Sequence, residues 1–164
     1  LWIADHGEWE WTPHPVMVID FNEIAHDTPA MLRQALDQYL TMTAETFQVT
    51  LSSTLLVGKF SELIQKLYHT TGMPVAVLID EYDKPIIDHL GKGEAGLEMA
   101  KANRDVLRSF FGVLKGATVS PLLRFIFLTG ISRFSRVSVF STLNTLFDFS
   151  MQGWPSTMMA IVFL

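Results

Sequence analysis

At 164 residues, 49% of them apolar, the chain is long enough to bury one core and short for two, so one domain is expected. Seventeen acids against twelve bases leave a formal charge of −5, which disfavours a general polyanion-coating protein unless the bases gather on one face. Cysteine is absent, excluding disulfides, thiolate metal sites and cysteine nucleophiles and fitting a reducing, cytoplasmic setting.

The chain opens at Leu1 without an initiator methionine and stops at Leu164 inside the apolar run that starts at Met158, so a fragment of a longer polypeptide is expected. Its apolar runs are too short to cross a bilayer, and no basic stretch precedes an apolar one at the start, so no membrane or secretion segment is expected. The segment from Pro15 to Asp20, rich in β-branched residues, reads as a buried strand. A helix follows, capped by Asp27 or Thr28, with Pro29 in its first turn and Met31, Leu32, Ala35, Leu36, Tyr39 and Leu40 at helical spacing; it should end near Thr43. Ser52, Ser53 and Thr54 are candidate caps of a second helix, which carries Phe60, Leu63, Ile64 and Leu67 and stops at Gly72.

Pro74 opens a second strand, Val75 to Ile79, whose unbroken apolar run predicts cover by helices on both faces. That strand delivers Asp80 and Glu81 to its carboxyl end. A glycine-rich loop then leads to a long helix from about Glu94 to Lys115, with Met99, Val106, Leu107, Phe110, Phe111 and Leu114 on its apolar arc and Gly116 as its stop. A third strand, Leu122 to Leu128, ends at Thr129 and Gly130. Such crossovers make an α/β fold with parallel strands and ligands outside their carboxyl ends.

Two adjacent acids at the end of a buried strand suit a magnesium nucleotide site, where the first holds the metal's water shell and the second polarises an attacking water. The plainer alternative is a pair of strand-end acids that bond the following loop. Other residues carry less. The histidines at 6, 14, 26, 69 and 89 have no ligand-like spacing, which argues against zinc, and Trp2, Trp9, Trp11 and Trp154 read as packing anchors. Lys101, Arg104, Arg108 and Lys115 share one arc of the long helix and could meet phosphate backbone. Glu98 and Asp105 lie alongside, so a solvated face is the better reading.

The string Pro74-Val-Ala-Val-Leu-Ile-Asp-Glu-Tyr-Asp-Lys-Pro-Ile86 resembles the Walker B signature of the bacterial AAA-ATPase-like family, which is often fused to a PD-(D/E)XK nuclease-like domain. The block from Phe127 to Asn144 resembles the same family's sensor strand and following loop. Leu1-Trp2-Ile3, Trp9 to Trp11 and the strand into Asp20-Phe21 resemble the segment after its phosphate-loop helix. The likeness reaches about Ser150. It implies a P-loop NTPase three-layer sandwich with a mostly parallel sheet, acting on ATP with Mg2+, possible in an oligomer, and with nucleic acid as a partner through an associated nuclease-like domain. Asp80 would hold the metal and Glu81 activate the water. Thr129 would contact the γ-phosphate or that water, and Arg133 and Arg136 would supply positive charge in cis or from a neighbouring subunit. Their plainer roles are a strand-end cap and surface ion pairs. Asp83 would tether Lys84 or the sensor loop, or stand solvated before a proline turn.

The chain departs from that family in three ways. No G-x-x-x-x-G-K-[ST] is present: Gly58-Lys59 is followed by Phe60 and Gly91-Lys92 by Gly93. The Walker A strand is therefore expected to be missing, leaving the sheet edge beside the sensor strand unpaired and the chain inactive alone. Third, residues 1–150 read as an incomplete AAA-ATPase-like domain, while 151–164 diverge into an unassigned apolar tail, either an artefact of the ending or a surrogate strand. Two other functions stay open: a metal-dependent phosphohydrolase or nuclease built on Asp80, Glu81 and Asp83, and a non-catalytic interaction module.

Overall fold

Three short runs of β-branched and aromatic residues form the parallel centre of a sheet: β1 (Val16–Asp20), β2 (Val75–Asp80) and β3 (Leu123–Gly130). The computed structural model describes residues 12–131, together with the backbone of 147–148 and 159–163. β2 lies between the other two, with Asp20 opposite Asp80 on one side and Leu128 opposite Ile79 on the other. Helices α1 (Pro29–Thr46) and α2 (Leu56–Thr71) fill the first crossover. The one-turn α3 (Lys84–Ile87) and the long α4 (Gly93–Gly112) fill the second. The chain is thus α/β, with its parallel strands joined by helical crossovers.

Alternation along the strands decides where the core sits. Met17 and Ile19, Val77 and Ile79, and Ile126 and Leu128 point to one face, where they join Leu32, Leu36, Leu63, Leu67, Leu107 and Phe110 in one apolar cluster. Phe60 of α2 stacks on Phe110 of α4 with ring centres 4.4 Å apart, and Phe111 meets Phe21 edge-on at 6.1 Å. On the opposite face Val16 and Val18 are exposed, and Leu78, Phe125 and Phe127 are half-buried. The expected helical cover of β2 on both faces is therefore found, among the described residues, on one face only. Ala76 on the other face is buried because it is small and flanked by a strand on each side.

The helix ends follow local chemistry. Thr28 Oγ1 accepts from the Met31 N–H at 3.2 Å and Pro29 opens α1, which runs one turn past the expected Thr43. Gly72 closes α2 at φ +69°, its N–H bonded to Tyr68 O. The start of α2 differs from expectation. No side chain caps it, and the Ser52 and Ser53 amides instead donate to the Glu62 carboxylate at 2.8–3.0 Å. At its far end α4 tightens into a 3-10 turn over Val113–Lys115 before Gly116, so the predicted helix to Lys115 is met in two geometries.

Lys66, the Ser53 amide and the Ser52 hydroxyl together pull the Glu62 carboxyl down to about 2 from the usual 4.5. A depressed folded-state value means that the stabilisation is fully present above pH 4.5 and is lost as the pH falls towards 2. Glu62→Gln is expected to flatten the fall of the melting midpoint across that window, and added salt to shrink the difference between the two proteins. Identical acid limbs would refute the assignment.

Beyond the parallel strands, β5 (Met159–Phe163) pairs antiparallel with Ile126–Gly130 of β3, and the short β4 (Phe147–Asp148) pairs with β5. The sheet order is β1-β2-β3-β5-β4. The edge of β3, expected to stand unpaired, is thus occupied by part of the tail left unassigned on sequence. An apolar run rich in strand-formers satisfies the open row of backbone groups. Among the described residues, no helix is long and apolar enough to cross a membrane.

Candidate functional site at the rim of the sheet

The carboxyl ends of the parallel strands bring Asp20, Asp80, Glu81 and Thr129 to one rim. Pairing persists beyond the strands, since the Phe21 N–H donates to Asp80 O and the Tyr82 N–H to Thr129 O, both at 3.1 Å. Asp20 Oδ1 accepts from the Asn22 amide and side chain at 2.8 and 2.9 Å, which turns the chain sharply after β1.

Glu81 takes φ +51°, a left-handed conformation that costs a residue with a Cβ about 1–2 kcal/mol. Its N–H points at Asp80 Oδ1 (3.1 Å) and Thr129 Oγ1 (3.3 Å). The Thr129 hydroxyl in turn donates to Asp80 Oδ1. One oxygen of Asp80 therefore organises both the Glu81 backbone and the end of β3. A threonine hydroxyl has one proton, and here it goes to Asp80, so Thr129 orients the Asp80 carboxylate.

The electrostatics are those of crowded carboxylates. Burial raises the Glu81 carboxyl above its ordinary range, Asp83 and Asp80 raise it further, and Lys84 opposes them. Asp83 is fully buried, so the solvated reading is corrected. It packs under the end of β3: a Cβ on Gly130 would come within 2.6 Å of Asp83 Oδ1 and 2.7 Å of the Tyr82 ring. This contact, not legible from the strand pattern, makes glycine necessary at 130 for space.

A hydrated Mg2+ asks for one or two carboxylates and neutralises such a concentration of negative charge, and the part-buried Asp80 beside Asp20 and Glu81 fits that demand. Among the described residues no trio of His, Asp or Glu is disposed as a closed metal cage. Arg133 and Arg136 lie outside the described residues, as do Trp2, Trp9, Trp11 and Trp154. The basic arc of α4 is partly neutralised, with Lys101 on Glu98 at 2.7 Å and Arg104 on Asp105 at 3.0 Å. His14 and His89 donate to the carbonyls of Pro74 and His26, and His26 meets Asp88.

Sequence reasoning passed over Asn103, which is fully buried in α4 and bonds the carbonyls of His26 and Pro85. A signal was available, because 103 falls on the arc of Met99, Val106, Leu107 and Phe110, where a lone amide is out of place among apolar residues.

Comparison with known proteins gives the chain a family. An uncharacterized protein in the vnfD 5′ region of Azotobacter chroococcum mcd 1 is 35% identical over 149 residues, which cover 90% of this chain and 28% of that protein. The chain thus spans less than a third of that relative's length. No solved structure matches. The sequence model of the AAA-ATPase-like family, described as a predicted AAA-ATPase, matches residues 1–140, and the chain belongs to that family.

Proposed function

We propose that the chain is the core part of a cytoplasmic, ATP-hydrolysing module in which Asp80 holds a hydrated Mg2+ and Glu81 accepts the proton of the attacking water. The observation that carries this reading is the Glu81 turn. A strained, left-handed acid is fixed by Asp80 and Thr129 at the end of the central parallel strand, where α/β folds present their ligands. Magnesium-bound nucleotide would supply the electrophilic phosphorus and the charge that draws these acids together. Thr129 keeps Asp80 and the Glu81 backbone in register, and Arg133 and Arg136 complement the charge of the phosphate from this chain or a neighbouring subunit. A nuclease-like domain elsewhere in the polypeptide would bring nucleic acid to the assembly.

Residues 1–150 are read as an incomplete AAA-ATPase-like domain, and the phosphate loop must come from outside this sequence. The metal-hydrolase alternative loses support because Asp83 is buried beneath Gly130 rather than open beside Asp80 and Glu81. The test compares two polypeptides with Mg-ATP. The 164-residue chain alone should show no turnover above background, and a longer product carrying a phosphate loop should hydrolyse. Turnover by the short chain that disappears with Glu81→Gln would contradict the proposal.

A further inference from the structure

We infer that Asn103 is a positioning residue whose buried amide locks the Glu81-bearing turn to the loop after β1; as a statement about catalysis it rests on the function proposed above. Both hydrogens of its Nδ2 are engaged, one on His26 O at 2.8 Å and one on Pro85 O at 2.9 Å. His26 lies in the loop after β1 and Pro85 in the turn after β2, so one side chain on α4 spans the two loops that leave the rim.

Pro85 O has no other donor in its turn. The amides of Asp88, His89 and Leu90, which lie within helical reach, go to the carbonyls of Lys84, Ile86 and Ile87. The same pair of loops is tied twice more: His89 Nε2 donates to His26 O at 3.0 Å, and Asp88 receives both His26 Nε2 at 3.0 Å and Lys84 Nζ at 3.1 Å. From Pro85 the constraint reaches Glu81 within one turn, through Lys84 N–H to Glu81 O at 3.0 Å and the Ile86 and Ile87 amides to Asp83 O.

Stability alone does not settle the choice of an amide at 103. The amide satisfies Pro85 O, which has no other donor in its turn, but it brings the desolvation of its own polar atoms, and Asn103 Oδ1 is buried without a partner among the described residues. What the amide adds is direction. It fixes the backbone of a turn whose left-handed Glu81 persists only if its surroundings over-determine it.

The experiment uses the full-length protein with Asn103→Asp, which keeps the shape and points lone pairs at both carbonyls, and Asn103→Leu, which fills the space without bonding. Amide hydrogen exchange and steady-state ATP hydrolysis are read together. In a variant that folds, we expect exchange across 81–88 to quicken about tenfold while the body of α4 keeps its protection. kcat should fall about 10- to 100-fold with KM within about twofold, as when an orienting partner is removed. Should Asn103→Asp fail to fold, Asn103→Leu decides. Unchanged exchange at 81–88, or a uniform loss of protection along α4, overturns the inference. Wild type and Glu81→Gln run in parallel: if their turnover is the same, the proposed function fails, and the exchange measurement still decides whether Asn103 holds the turn.

Discussion

Glu81→Gln in the full-length protein should lower the rate of ATP hydrolysis by about 10²- to 10⁴-fold, the contribution expected of a positioned general base, while leaving Mg-ATP affinity nearly intact. Glutamine matches the shape of glutamate and occupies the same left-handed backbone, so the turn at φ +51° and its bonds to Asp80 Oδ1 and Thr129 Oγ1 should survive. What disappears is the basic oxygen. A companion substitution separates chemistry from strain. Glu81→Gly also removes the carboxylate but relaxes the left-handed residue, so it should be equally inactive yet about 1 kcal/mol more stable than the glutamine variant. Single-turnover kinetics, nucleotide titration and denaturant midpoints provide the three readings. Parallel loss of binding and hydrolysis in Glu81→Gln would mean that Glu81 holds the ligand rather than activating water.

Gly130→Ala is expected to destabilise the protein by about 1–3 kcal/mol, the usual cost of overfilling a packed site, and to disturb the rim at the same time. Its Cβ would sit 2.6 Å from Asp83 Oδ1 and 2.7–2.8 Å from two ring atoms of Tyr82. Neither neighbour yields easily. Tyr82 is 1% exposed and its N–H is bonded to Thr129 O, and Asp83 is fully buried. The way out is to lift the Glu81–Asp83 turn, which breaks the register of Asp80, Glu81 and Thr129. Loss of stability should therefore come with faster amide exchange at 81–84. By contrast, Gly91 and Gly93 have positive φ and open space around them, so alanine there strains the backbone without crowding the rim. An unchanged denaturation midpoint in Gly130→Ala would show that the turn has slack that the packing does not reveal.

Much of this architecture is written locally, and for a physical reason. The runs around Val18, Val77 and Phe127 are apolar and β-branched enough to favour strands of a sheet, and Pro29 and Gly72 set helix ends through their own dihedrals. The acids at 80 and 81 could be placed at a strand end because strand length and the following proline turn leave them nowhere else. The sequence determined, in this sense, the order of the elements and which residues reach the rim.

Only the tertiary structure decided what those residues do to one another. Whether β2 was covered on one face or two depended on where α1, α2 and α4 dock. Whether the edge of β3 stayed open depended on residues 159–163, which pair with positions 29 to 37 residues earlier in the chain. The hydroxyl of Thr129 turns to Asp80 instead of outward, Asp83 lies buried under Gly130, and Asn103 bridges His26 and Pro85, contacts that span 49, 47, 77 and 18 positions of sequence. Periodicity reports the solvent exposure of a segment, a property of neighbours along the chain. Hydrogen-bond partners and close approaches are chosen among groups that meet only after the sheet has formed.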